Sequence, residues 1–170
     1  MVGLLILLPS IALVGYFVYA SIGYNVLVSF TDWNQLRSSY NIVGFSHYAE
    51  LMRDSVFRVS FVNNLLLILL FVPSTIGLGL FLAILLDNKV RGEGVFRTIY
   101  LLPFSLSFAI TASLWAWMYD PTSGVINTLL RSAGLGFLAS GWVTDSSLTL
   151  YCVILALVWQ FSGYTMLLFL

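Results

Sequence analysis

The stretch LAILLDNKVRGEGVFRTIYLLP, Leu82 to Pro103, decides how this chain is read. Asp87, Lys89, Arg91, Glu93 and Arg97 crowd into it, whereas no charge occurs from Val59 to Leu86 or from Thr98 to Tyr119. Two long apolar segments joined by a short charge-dense turn predict a membrane hairpin. Lys and Arg in short loops are held on the cytoplasmic side during insertion. The turn at 87–97 is therefore expected to be cytoplasmic, which puts both ends of the sequence on that side.

The same logic extends outward. Of 170 residues, 60% are hydrophobic and 8% charged, against about 25% charged in an ordinary soluble domain. Two further charge-free runs, Met1 to Thr31 and Ser146 to Leu170, complete a set of four, and each exceeds the ~20 residues that cross the hydrocarbon layer. Backbone polar groups find no water there and must be satisfied within helices. The predicted fold class is an all-α integral membrane protein with spans at approximately 3–30, 59–86, 98–119 and 146–170. Outer loops at 31–58 and 120–145 join them. The loop at 31–58 is expected to hold a short interfacial helix capped by Ser46, and the outer loop an amphipathic helix from Val125 to Ala133.

Within the spans, Pro73 and Pro103 predict breaks, since proline removes a helical hydrogen bond. Thr75, Gly79 and Ala83 repeat at every fourth residue, as do Ser105, Ala109 and Ser113. Small residues at that spacing let a neighbouring helix approach closely. Trp115, Trp117 and Tyr119 close the outer end of the third span as an aromatic belt.

Chemistry is informative mainly by what is missing. No Asp, Glu, Lys, Arg or His falls within a predicted span, so proton relays and ion-coupled carriers have no visible machinery. A lone histidine, His47, and a lone cysteine, Cys152, offer no metal cluster and no internal disulfide; they read as a solvated loop residue and a packing residue. There is no phosphate-cradling Gly-Lys-Ser/Thr loop. Balanced charge leaves no basic field for nucleic acid. What remains are aromatics, 16% of the chain, and neutral amides, which suit a neutral, hydroxyl-rich solute by stacking and hydrogen bonding. The alternative is a structural or assembly subunit of another membrane complex, with no solute path of its own.

VGFSHYAELMRD, then LLDNKVRGEGVFRTIYLLP, WAWMYDPTSGVINTLL and VWQFSGYTMLLFL follow in collinear order. The series resembles the permease subunits of binding-protein-dependent sugar importers of the ATP-binding-cassette (ABC) class, of the maltose-transporter type. The resemblance implies four helices of a six-helix permease in the cytoplasmic membrane, ending before a Glu-Ala-Ala coupling loop and two further helices. It implies a second permease subunit, a cytoplasmic ATPase dimer that carries ATP and Mg, and an extracytoplasmic solute-binding protein. It implies transport rather than catalysis, with no cofactor on this chain. Carried over by position, the solute path falls on Phe104 and Phe108 and on Gln160, Phe161 and Tyr164, where the family commonly has Tyr or a small polar residue in place of the two phenylalanines.

Overall fold

The computed structural model describes residues 2–33, 40–87 and 92–170, with side chains from Leu7 onward. Arg37, Lys89 and Arg91 lie outside the described residues. The chain forms two compact units, Met1–Ser60 and Phe61–Leu170.

The first unit opens with helix α1 (Val2–Val14), which passes through a π-helical turn, Gly15–Ala20, into α2 (Ser21–Ser29). Leu7–Ser29 is long and apolar enough to cross a membrane. After it, an isolated bridge pairs Thr31 with Ile42, and the Asp32 carboxylate accepts hydrogen bonds from the backbone N–H and side-chain amide of Asn41 at 2.9 and 3.1 Å. The interfacial helix forms as α3 (Ser46–Arg53), but Ser46 is its first helical residue and not its cap. Phe45 holds the cap position and contributes no side-chain bond; its ring instead meets Phe30 edge to face at 5.2 Å. Aromatic contact fixes the entry of this helix where a hydroxyl was expected to. His47 is exposed, as expected, but sits on α3 rather than in a loop, its Nε2 lying 3.0 Å from the Thr31 carbonyl oxygen.

Helix α4 (Ser55–Asp87) is a single element of 33 residues that runs on through Pro73. At 1.5 Å per residue it is about 50 Å long, more than the hydrocarbon thickness. Its buried residues are Thr75, Gly79, Leu82, Ala83 and Leu86, so the first small-residue stripe faces inward. A Cβ added at Gly79 would come within 2.7 Å of Thr165 Cβ, which shows how closely this helix meets α8 (Thr149–Phe169). Leu82, Ala83, Leu86 and Met166 form the core of that meeting.

The third apolar segment departs from the predicted single span at 98–119. Helix α5 (Glu93–Ser105) begins inside the charged turn, at Gly92 with φ 86°, a conformation that glycine adopts at no steric cost. It stops at Ser105, and α6 (Phe108–Met118) leaves at a bend of 97°. Leu106 and Ser107 are extended, with ψ of 144° and 152°. Pro103 lies inside α5, and the chain turns only after it; Ser107 then starts the next helix, its Oγ accepting from Ile110 N at 3.3 Å. The bend also undoes the second predicted stripe. Ser105 lies before the break and Ala109 and Ser113 after it, and all of them are exposed, while Thr111 is the buried residue of α6. A four-residue repeat has a common face only if one helix carries it.

Among the described residues, 3 helices are therefore long and apolar enough to cross a membrane, or 4 if the bent pair makes one span. The last helix starts at Thr149, after turns at 146–148, rather than at Ser146.

Outside the spans, α7 (Val125–Ser132) forms as the amphipathic helix expected there. Asn127 anchors it, only 1% exposed. Its amide donates to the carbonyls of Pro121 and Ser140 at 3.2 and 2.9 Å, and its oxygen accepts from Trp142 Nε1 at 2.8 Å. Asp120 Oδ1 accepts from the backbone N–H groups of Ser123 and Thr122 and from both hydroxyls, at 2.7 to 3.0 Å. These bonds, led by the Ser123 amide, hold its carboxyl well below the usual carboxylate range.

Candidate solute site at the helix break

A helix that stops inside the apolar layer leaves carbonyls without partners, and each such group is costly in lipid. The break at Leu106 meets this requirement from another helix. Gln160 Nε2 on α8 donates to the Leu106 carbonyl at 3.0 Å. The glutamine is 2% exposed, so its amide is committed to the backbone of the bent helix rather than presented on a surface.

Close packing of α5 on α8 makes that bond possible. A Cβ at Gly163 would overlap the Tyr100 carbonyl oxygen. Glycine is required here by the approach of two backbones, and it sits one turn beyond Gln160 on α8.

Around the break the aromatic side chains gather. Phe104, at the end of α5, stacks on Tyr164 of α8 with centroids 4.6 Å apart and planes at 12°. Phe161 is the hub: it meets Phe104 at 5.6 Å, Phe108 at 6.1 Å and Phe71 at 5.7 Å. Offset and edge-to-face pairs such as these contribute about 0.5–1.5 kcal/mol beyond their burial. Phe104, Phe108 and Tyr164 are at the same time 40%, 63% and 39% exposed. Their rings thus form a wall that neighbours support on one side and that is open on the other.

Of the residues predicted for the solute path, Phe104, Phe108, Phe161 and Tyr164 are brought into ring contact, and Gln160 lies beneath them holding the break. Phe71 joins the group unforeseen, because an apolar run gives each phenylalanine the same local signal. The break at Leu106 and Ser107 is not anticipated by the prolines. The signal available was Ser107 itself, a good N-cap residue placed just ahead of a fresh apolar run. No group of His, Cys, Asp or Glu able to hold a metal occurs among the described residues.

Comparison with known proteins agrees with this architecture. No protein-family model matches the sequence. A probable ABC transporter permease protein of Pyrococcus horikoshii is 59% identical over 98% of this chain and 57% of its own length. A xylose/arabinose import permease protein of Haloferax volcanii is 45% identical over 90% of this chain and 48% of its own. In structure, a chain of a bacterial ABC transporter involved in the import of the acidic polysaccharide alginate superposes with a TM-score of 0.70 and 25% identity, over 96% of this chain and 54% of that one. The chain thus spans about half the length of the relatives it matches.

Proposed function

Since this chain is homologous to ABC transporter permeases over nearly its whole length, we propose that it forms part of the path of a neutral carbohydrate through an ATP-driven importer. The observation that carries this reading is the open aromatic wall of Phe104, Phe108 and Tyr164 backed by Phe161, which no charged side chain among the described residues joins. Aromatic faces stack on the C–H faces of a sugar ring without a charge to desolvate. A phosphorylated or carboxylated solute would call for Arg or Lys, and the predicted spans contain neither. The names of relatives support sugar import but do not choose its charge: one is named for xylose and arabinose, whereas the alginate importer takes an acidic polymer.

In this reading the chain is a transport component and not an enzyme. It pairs with a second permease subunit, receives solute from an extracytoplasmic binding protein, and is driven by a cytoplasmic ATPase dimer where ATP and Mg bind. The charged turn at 87–97 faces the cytoplasm, with the N-terminus on the same side, as its Lys and Arg density favours. The bend after Ser105 gives the path a joint at which α5 and α6 can change angle as the ATPases close.

The test is uptake of labelled neutral mono- and disaccharides into vesicles that hold the full-length protein with its co-purifying partners. One sugar should be taken up in an ATP-dependent way, and Phe104→Ala and Tyr164→Ala should each slow its uptake about threefold to tenfold, the value of one aromatic contact. Uptake of anionic solutes alone, or no change in either variant, would sink the proposal.

A further inference from the structure

Phe71 continues the small-residue stripe of α4: Phe71, Thr75, Gly79 and Ala83 recur at every fourth residue, a spacing that keeps them on one face of a helix. Thr75, Gly79 and Ala83 are buried, and at Gly79 the helix lies close against Thr165 of α8. Phe71 stands on the same face about two turns before Gly79, and Phe161 stands one turn before Thr165. The close approach that small residues permit at Gly79 thus brings a full ring of α4 onto a ring of α8. Their centroids are 5.7 Å apart, with planes at 83°.

What Phe161 touches gives that contact its consequence. Its ring meets Phe104, in the last turn of α5, and Phe108, the first residue of α6, so it spans the break. Gln160, its neighbour in sequence, holds the Leu106 carbonyl between them. The backbone of the break is therefore held by one residue of α8, and the rings on its two sides are registered on the next. Phe104 in turn stacks on Tyr164. Phe71 and Phe161 are half-buried, whereas Phe104, Phe108 and Tyr164 are exposed. An edge-to-face pair has a preferred geometry because the ring edge is positive and the face negative. Phe71 thus lies behind the open wall and fixes the ring on which the wall rests. Side chains held in place before a ligand arrives lose less freedom on binding it.

We propose that Phe71 is a positioning residue of the solute path: acting through Phe161, it sets the angle at which Phe104 and Phe108 are presented and, through Phe104, that of Tyr164. The assignment rests on the neutral-carbohydrate reading above and adds α4 to a site otherwise built from α5, α6 and α8. Phe71 does not touch the solute. It fixes the spacing of the stacking faces, so discrimination between sugars of different shape depends on it. A wall free to shift still stacks on a sugar ring, but it fits one shape less closely than another.

The experiment uses the same vesicles and the labelled sugar that the wild-type importer takes up, with uptake expressed per assembled complex. Phe71→Leu keeps an apolar side chain and removes the ring contact. It should slow uptake at saturating sugar about twofold to tenfold, the value of one edge-to-face pair, and should discriminate less between the sugar and its epimers. Phe71→Tyr, which keeps the ring, should return most of both. Because Phe71 acts through Phe161, the double variant Phe71→Leu with Phe161→Leu should be no slower than Phe161→Leu alone, whereas the effects of independent sites multiply. If Phe71→Leu changes neither rate nor discrimination while Phe104→Ala and Tyr164→Ala are slowed, the wall stands and the positioning role is wrong. If the two leucine substitutions multiply, Phe71 does not act through Phe161 and the proposal is overturned. If Phe71→Leu lowers only the amount of assembled complex, Phe71 is a packing residue and the proposal is equally wrong. If the wild type takes up no neutral sugar at all, both readings fall together.

Discussion

Gln160 donates to the main-chain carbonyl of Leu106 across 54 residues of sequence, and this bond satisfies an acceptor that the break between α5 and α6 would otherwise strand. One side chain thereby stabilises an irregular backbone in a layer that tolerates irregularity only inside protein. Replacing it with leucine keeps the volume and strands the carbonyl. Gln160→Leu is expected to destabilise the protein by about 1–3 kcal/mol, read as a lower thermal midpoint of the detergent-solubilised full-length protein. An unchanged midpoint would mean that the carbonyl finds another donor.

Glycine at 163 is set by the Tyr100 carbonyl, which occupies the place of a side chain. Gly163→Ala should force α5 and α8 apart and cost about 1–3 kcal/mol as overpacking. Gly77→Ala on α4 meets nothing within 4 Å and should be neutral or slightly stabilising, since alanine favours helix by about 1 kcal/mol. Thermal melts of the two variants side by side separate close approach from a general intolerance of added carbon.

Removal of Asn127 should loosen the segment from Pro121 to Trp142 as a unit, because its amide bonds Pro121, Ser140 and Trp142 at once. Asn127→Leu is expected to cost about 2–4 kcal/mol, several neutral hydrogen bonds at roughly 1 kcal/mol each plus stranded partners. Hydrogen exchange of α7 and of residues 139–142 should rise together, with α8 little changed. Faster exchange confined to position 127 would argue against a shared anchor.

Acid should leave the turn after Met118 intact longer than an ordinary carboxylate would allow. The Asp120 carboxyl is held low by the Ser123 and Thr122 donors, so its folded value lies below its unfolded one. A group depressed in this way contributes stability that is fully present above the unfolded value and lost as pH falls through the folded one. Protection of the Thr122 and Ser123 amides should therefore persist below the usual aspartate value of about 3.9. Asp120→Asn should weaken that protection at neutral pH and remove its acid dependence. Loss of protection already near pH 4 in the wild type would contradict the hydrogen-bonded arrangement.

Much of the aromatic wall is legible along the chain. Phe104, Phe108, Phe161 and Tyr164 follow from family resemblance at the Leu-Pro and Trp positions, and they do meet. Gln160 falls at the right place in the sequence, but its bond to Leu106 depends on a bend that no local signal announces strongly. Ser105, Ala109 and Ser113 illustrate the converse: a repeat that looks like one face is divided between two helices once the chain breaks inside it. Asn127 carries no warning of its role, because one asparagine in a short amphipathic helix looks like any polar residue until its partners, 13 to 15 residues on, fold back to it.

That this is an all-helical membrane protein is dictated by the order of its residues alone, because long charge-free runs can satisfy their backbones in lipid only as helices. The approximate limits of those runs, and their lack of ionisable chemistry, are dictated in the same way. Where the third run breaks and which small residues pack emerge only when the helices come together. Those outcomes depend on what a neighbouring helix presents at each point, a carbonyl at Gly163 or an amide at Leu106, and a pattern read along one segment does not contain its neighbour.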